Sequence, residues 1–341
     1  MPSQGGDLYS EDAEDPQKKK KSKRIIMQDF NFDTLYIGGP HGICLPSVAG
    51  KIKCLLQYFE TITNRYINDQ TPPGRLSLHR IALPEKTPDW KKSTNKFTKV
   101  TVDSQHYIED IPDHLQIDFA NKMIGGGVLG KGCVQEEIRF VINPELLVTL
   151  LICSKMEDNE AIIIKGCERF ASYSGYSHTF EYTGPYDDST SRDEQHRINT
   201  TVAAIDALYF GMIEDFRKTQ YRISNIEREL NKSYLAFAYK EGQAALPVAT
   251  GNWGCGVFGG YHDLKAILQL MAAAEAGVDV HYCTFGVAGL APTLIELVAV
   301  LRSSKVTVGQ IYEAIEEMAK PFNEESPEEH ESSQGLEVKV K

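Results

Sequence analysis

Three short stretches of this chain combine residue types and spacings that suit chemistry better than core building. The first, Gly125-Gly126-Gly127-Val128-Leu129-Gly130-Lys131-Gly132, puts five glycines into eight residues. Glycine loses more backbone freedom on folding than any other residue, so this density fits a place where the backbone must approach a ligand. A row of bare amides also makes a nest suited to a diphosphate. Plain turns and several nucleotide-binding folds use such loops too, and this one is neither G-x-G-x-x-G nor a Walker A loop, since no G-K-[ST] closes it. The second stretch, Gln135-Glu136-Glu137, follows directly. Two adjacent acids are ordinarily a solvated helix face. Set between a glycine loop and the apolar Ile138-Arg139-Phe140-Val141-Ile142, they admit another reading. Neighbouring carboxylates repel and partial burial disfavours ionisation, so one could hold a proton near neutral pH, as protonation of a glycosidic oxygen requires.

The third stretch is Gly251-Asn252-Trp253-Gly254-Cys255-Gly256-Val257-Phe258-Gly259-Gly260. It reads as a second phosphate loop with aromatic rings beside a ligand, or as a tight strand-to-helix turn. No histidine near Cys255 in the sequence would activate it as a nucleophile, which leaves a small residue in a tight turn. Asp118 and Asn121 lie on or just past the strand that feeds the first glycine loop, where an acid can reach the same ligand or serve as a capped structural group. Tyr176 follows another strand and could stack on a base or pack in the core.

Alternating elements must position these loops. Lys51 to Ile62 has a helical apolar face, and Leu115 to Phe119 alternates like a half-buried strand. Asn143-Pro144-Glu145 opens a helix expected to run to about Met156. Ala161 to Lys165 and Thr201 to Leu208 read as strands, and Ser224-x-x-Glu227 as a capping box opening a helix. A strand over Leu246 to Thr250, a helix over Asp263 to Ala276, a strand over Val278 to Phe285 and a helix over Thr293 to Leu301 follow. The alternation predicts an α/β fold, a three-layer α/β/α sandwich with ligand loops at strand ends.

The bounds are consistent with a soluble, intracellular enzyme. The 341 residues are 42% apolar and 24% charged, with a net charge of −11, which argues against a general nucleic-acid binder and direct DNA binding. A polyanionic substrate would have to be captured by a local site. No apolar run approaches the roughly 18–20 residues of a membrane helix, and the polar N-terminus has no signal-peptide core. Seven scattered cysteines without metal spacing predict reduced thiols and no metal site. Residues 1–28 are expected to be a disordered acidic and basic tail, in which Lys18 to Arg24 reads as an import signal or a solvated linker. Residues 29–110 are expected to form a helical lead-in and the connection to the core, 111–323 the core, and 324–341 an acidic disordered tail.

The pattern G-G-G-x7-Q-E-E resembles the signature of the poly(ADP-ribose) glycohydrolases, enzymes of the macrodomain fold. Asp118-Phe119-Ala120-Asn121 leads into the glycines as in the animal-type members, and Ile138-Arg139-Phe140 through Asn143-Pro144-Glu145-Leu146 follows the acids in the same register. Ala204-Ile205-Asp206-Ala207-Leu208, Arg228-Glu229-Leu230-Asn231-Lys232, the loop from Ala249 to Gly260 and Thr284-Phe285-Gly286 are also similar. The resemblance covers about Lys51 to Phe322. It implies a macrodomain-like sandwich with a mixed central sheet and a reduced N-terminal helical segment, because animal-type members carry a helical accessory region and a regulatory region before the macrodomain.

The resemblance further implies a glycoside hydrolase that removes ADP-ribose from the chain end of poly(ADP-ribose), without metal or cofactor. Glu137 would be the general acid, then the base. Glu136, Asp118 and Asn121 would hold the ribose hydroxyls and orient the site, and Gly125, Gly126 and Gly127 would cradle the diphosphate. Gln135, Tyr176, Asn252 and Phe285 would surround the adenine end, with Phe258 pressing on the terminal ADP-ribose. The implied partners are poly(ADP-ribose), ADP-ribose and poly(ADP-ribosyl)ated proteins, met by a monomer in nucleus and cytoplasm. The alternative is a non-catalytic ADP-ribose reader on the same fold. A nicotinamide-dependent oxidoreductase is disfavoured by the missing G-x-G-x-x-G turn.

Overall fold

A computed structural model describes residues 25–36, 46–68, 74–211, 216–242 and 244–323. The basic run Lys18 to Arg24, Cys44 and the segment 324–341 lie outside the described residues, whereas Ile25 to Gln28, at the end of the expected tail, are described. In chain order the strands are β1 (Ser77–Ala82), β2 (Val100–Asp103), β3 (Leu115–Ala120), β4 (Glu160–Gly166), β5 (Ala171–Ser174), β6 (Glu181–Pro185), β7 (Ile198–Asp206), β8 (Lys240–Glu241), β9 (Ala244–Ala245), β10 (Val248–Gly251) and β11 (Val280–Cys283). The helices are α1 (Asp33–Tyr36), α2 (Pro46–Ile67), α3 (Gln135–Ile142), α4 (Val148–Ile152), α5 (Phe216–Gln220), α6 (Ile223–Phe237), α7 (His262–Ala276), α8 (Leu290–Ser303) and α9 (Val308–Asn323).

Seven strands form one mixed sheet in the order β1-β4-β7-β3-β10-β11-β2. β1 and β4, and β4 and β7, pair antiparallel, while β7, β3, β10, β11 and β2 run parallel. The two-residue period of a strand sorts its side chains between two cores. Ala161 and Ile163 of β4, with Ala203 and Ile205 of β7, join the core under α6, α7, α8 and α9. Ile162 and Ile164, with Val202 and Ala204, join the opposite core under α2, α3 and α4. The result is the expected three-layer α/β/α sandwich with a mixed sheet.

Several local expectations need correction. β3 is buried on both faces rather than half-buried, because it lies inside the sheet with a core on each side. The helix expected from Asn143 to Met156 is a 3-10 turn over Pro144–Leu147 followed by α4, which ends at Ile152. Beyond it, the amides of Lys155 and Met156 bond to Ile26 O and Lys122 O instead of continuing a helix. The expected Ser224 cap lies within the first turn of α6, since Asn225 N and Ile226 N bond to Arg222 O. Both sheet edges, β1 and β2, precede residue 111, so the sheet draws on the segment expected to form the helical lead-in and the connection to the core. Among the described residues no helix is long and apolar enough to cross a membrane.

Candidate active site

The first glycine loop leaves β3 and returns into α3, whose first residues are Gln135, Glu136 and Glu137. The two glutamates are not a solvated face: Glu136 is 3% and Glu137 6% exposed, and Asp118 on β3 is fully buried. Backbone amides of the loop hold both carboxylates. Glu136 accepts from Gly125 N at 2.6 Å and from Asn121 N at 2.9 Å. Glu137 accepts from Gly127 N at 2.8 Å and from Val134 N at 2.9 Å. Gly125 and Gly127 thus direct their N–H groups at protein carboxylates. Gly126 N bonds to Met123 O. The glycines are needed for close approach. A Cβ on Gly126 would stand 2.5 Å from Glu137 Oε1 and 2.6 Å from Glu136 Oε2, and one on Gly132 would stand 2.7 Å from Glu137 Oε1.

Asp118 and Glu136 form a buried acidic pair. Burial raises the Asp118 pKa to about 8, with the Arg139 charge opposing and the Glu137 charge adding. Burial also raises Glu136 well above the usual carboxylate range, reinforced by Asp118 and Glu137 and opposed by the amides of Asn121 and Gly125. Among the described residues neither Asp118 oxygen has a hydrogen-bond partner, whereas Glu136 accepts two amides. Donors favour the ionised form and their absence the neutral one, so a proton on this pair belongs to Asp118. The proton-holding group expected within the glutamate pair therefore has a third member, one strand away.

Beside these acids lies a cleft of about 510 Å³, lined by Ala120, Val134 and Gln135 on one wall and by the second glycine loop, Asn252 to Phe258, on the other. It opens because β10 pairs with β3 at only two positions, Val248 with Leu115 and Ala249 with Gln116. Beyond them the Gln135 side chain takes the place of a strand, accepting from Phe119 N at 2.8 Å and donating to Ile117 O at 3.2 Å. Asn252 ties the ends of β10 and β11 together, donating to Thr284 O and accepting from Tyr282 OH. Tyr176 lines the cleft while its hydroxyl accepts from Gln135 N at 3.2 Å, one of the unpaired amides that open α3. Asn121 Oδ1 accepts from Met123 N and fixes the turn into the glycines.

Aromatic rings make the far wall. Phe285, at a φ of +50°, stacks on Tyr107 and meets Phe119 edge-on. A non-glycine residue at positive φ stores strain that the surrounding packing must hold. Tyr107 in turn stacks on Tyr173, whose hydroxyl donates to Glu109 at 2.5 Å. Phe258 packs edge-on against Tyr209. Cys255 lies in the wall, but burial raises its pKa to about 12 and its thiol donates to Trp253 O, which fits a turn residue rather than a nucleophile. Under the second loop, Lys265 stands 3.6 Å from the Trp253 ring and pairs with buried Glu229, which also pairs with Arg228. Asp206 pairs with Arg228 and Lys232. The Asp206 and Arg228–Lys232 motifs thus support the loop from below.

Of the site residues expected from sequence, Gln135, Tyr176, Asn252, Phe258 and Phe285 line this cleft, Asn121 and Gly125 to Gly127 lie on the loop, and Asp118 of β3 with Glu136 and Glu137 of α3 are buried and do not line it. Tyr107 and the buried Lys51 were missed. Tyr107 has no signal separating it from the other tyrosines. Lys51 could have been found as a cation on the buried stripe of α2, between Val48 and Leu55.

A three-layer sandwich with a mixed sheet, two glycine loops at strand ends and a buried acid cluster defines a macrodomain-type ligand site. The model of the family "Poly (ADP-ribose) glycohydrolase (PARG), Macro domain fold" matches residues 87–291, and the chain belongs to this family. It is 33% identical to poly(ADP-ribose) glycohydrolase 1 of Arabidopsis thaliana, over 87% of this chain and 64% of that protein. It is 34% identical to poly(ADP-ribose) glycohydrolase 1 of Caenorhabditis elegans, over 80% of this chain and 36% of that protein. The chain therefore spans less than two thirds of the length of these relatives. A solved poly(ADP-ribose) glycohydrolase from Deinococcus radiodurans in complex with ADP-ribose is similar over 67% of this chain and 96% of its own, with a TM-score of 0.37 and 16% identity.

Proposed function

We propose that this chain hydrolyses the ribose–ribose O-glycosidic bonds of poly(ADP-ribose), releasing ADP-ribose from the chain end. The observation that carries the reading is the seating of Glu137. Its carboxyl is nearly buried, oriented by two backbone amides, and set behind the cleft wall formed by Val134 and Gln135. Each oxygen keeps a lone pair beyond the one the amide uses, so the group can exchange a proton with substrate without losing its orientation. In the substrate complex a proton taken up by Glu137 passes to the leaving ribose oxygen as the C1–O bond breaks with oxocarbenium character. The resulting carboxylate then takes a proton from the water that attacks C1, which regenerates the acid. The charge on Glu136, close by, favours the cationic sugar.

In this reading Asp118, Glu136 and Asn121 orient the terminal ribose, and the glycines permit the acids' approach instead of cradling phosphate. The diphosphate lies against the second loop, where Gly254, Cys255 and Gly256 line the cleft beside the N-terminal, positive end of α7. Phe285, Tyr107, Tyr176 and Asn252 bound the adenine side, and Phe258 presses on the terminal unit. A non-catalytic reader has no need for a buried, amide-oriented glutamate pair. Glu137→Gln should lower polymer hydrolysis by about 10²–10⁴-fold while calorimetry shows ADP-ribose binding retained. Near-normal turnover in that variant would remove Glu137 from the mechanism, and binding without hydrolysis in the unmodified chain would favour the reader.

A further inference from the structure

Three side-chain donors from the beginning of the chain bind the carbonyl side of the first glycine loop. Gln28 Nε2 donates to Gly126 O at 2.8 Å and Thr34 Oγ1 to Leu129 O at 2.8 Å. Lys51 Nζ directs its three protons at Val128 O, Gly130 O and Gly132 O, at 2.9, 2.7 and 2.6 Å. Gly125 O and Gly127 O are taken within the loop, by Val128 N and by Gly130 N and Gly132 N. None of the three donors lines the cleft.

The N–H and C=O of a trans peptide point in opposite directions in one plane. Anchoring the carbonyls on the back of the loop therefore turns amides to the front, where the glutamates are. One peptide does both: Gly126 C=O accepts from Gln28, and Gly127 N–H of the same unit donates to Glu137 Oε1 at 2.8 Å. Gln28, this peptide and Glu137 form a chain in which each hydrogen bond polarises the next. Lys51 adds a fully buried cation on the 22-residue α2. Burial lowers its pKa, opposed by Cys133 and then by Glu137. A loop this rich in glycine has few side chains with which to fix itself, and its ordering must come from outside.

We propose that Gln28 and Lys51 are positioning residues for Glu137, clamping the carbonyl face of the glycine loop so that its amide face holds the acid against the cleft. The inference rests on the role given to Glu137 above. It is tested on the full chain with Gln28→Ala, which removes the donor at a part-exposed position, and Gln28→Glu, which keeps the size but presents an acceptor. Both should lower kcat about 5–30-fold, leave KM and ADP-ribose affinity nearly unchanged, and speed amide hydrogen exchange in the 125–127 segment. Lys51→Met should do the same more strongly, with a lower Tm.

A merely structural role would lower Tm but leave kcat per folded molecule and local exchange unchanged, in Gln28→Ala and Gln28→Glu alike. That pattern overturns the proposal. If the unmodified chain does not shorten the polymer, the proposed function fails. Hydrogen exchange then judges the clamp alone: faster exchange of the 125–127 amides in Gln28→Ala supports it and unchanged exchange overturns it.

Discussion

Gly126→Ala isolates the close approach of backbone to carboxylate on which the site depends. Gly126 has a φ of +49°, and an added Cβ falls 2.5 Å from Glu137 Oε1 and 2.6 Å from Glu136 Oε2. Each oxygen is about 0.8–0.9 Å inside the 3.4 Å at which ordinary contact begins. The clashing atoms are the ends of side chains, so the fold can survive. They are also the oxygens that accept from Gly127 N at 2.8 Å and Asn121 N at 2.9 Å. Retreat by that distance takes both bonds beyond about 3.5 Å, where they cease to hold the acids.

Alanine in the left-handed region costs about 1–2 kcal/mol, and weakening two charge-assisted bonds brings the loss to roughly 2–5 kcal/mol. That corresponds to a fall in Tm of about 5–15 °C for a domain of this size. Displacing a reacting group by close to 1 Å costs on the order of 10²-fold in rate, so kcat for ADP-ribose release should fall at least that far. Gly74→Ala is the control. It adds a Cβ whose nearest neighbour is Arg192 Nη1 at 3.8 Å, away from the cleft and without a positive φ, and should be within about 0.5 kcal/mol of neutral. If Gly126→Ala kept its Tm and turned over within about threefold of the unmodified chain, glycine would not be required for the approach and the seating of the acids described here would be wrong.

Three further outcomes follow from the same geometry. The folded pKa of Asp118 is raised to about 8 from an unfolded value near 3.9, so the folded state binds the extra proton. Stability is greatest below about pH 4 with respect to this group and declines as pH rises towards 8. Asp118→Asn should flatten that slope in denaturation curves taken from pH 5 to 9, and a variant with the original slope would place the titration elsewhere. Lys265→Met leaves Glu229 buried with Arg228 as its remaining ion-pair partner. It should cost about 3 kcal/mol in urea unfolding, whereas a loss under about 1 kcal/mol would mean that Arg228 compensates. Tyr107→Ala removes the ring stacked on both Phe285 and Tyr173 and should weaken ADP-ribose binding about 5–30-fold with kcat little changed. A fall in kcat at constant affinity would contradict an adenine-side role.

The parts of the site legible in the sequence were those whose residue types are costly anywhere else. Five glycines in eight residues, and two acids before an apolar run, mark places where backbone and carboxylate are forced together. Which group the glycines approach was not legible, because an amide aimed at a phosphate and one aimed at Glu136 require the same residue. The acidic pair was legible only in part. Glu136 and Glu137 are adjacent in sequence, but Asp118 joins them through the packing of strand and helix, and among the described residues no donor reaches it while two reach Glu136. The edge strands β1 and β2 were missed because neither shows a run of alternating apolar residues strong enough to mark it. Gln28 and Thr34 were unreadable for the same reason in sharper form: their roles are single hydrogen bonds spanning 98 and 95 positions.

The placement of the two glycine loops follows from the topology. β3 and β10 are neighbouring parallel strands whose chains leave in opposite directions. The chain after β3 passes through α3, on one face, towards β4, and the chain after β10 passes through α7, on the other face, to β11. Where outgoing connections diverge, the carboxyl ends of the strands leave a crevice between their loops, and open α/β sheets bind ligands there. In this chain the divergence is carried into the sheet itself, since β3 and β10 pair at two positions only and Gln135 completes the ladder. The residue just before the glutamate pair therefore fills the gap between β3 and β10, and Glu137 sits buried behind the wall that Gln135 and Val134 form. The same divergence separates the labour: the loop after β3 holds acids that must not move, and the loop after β10, backed by the Trp253–Lys265–Glu229 stack, shapes the wall that receives the ligand.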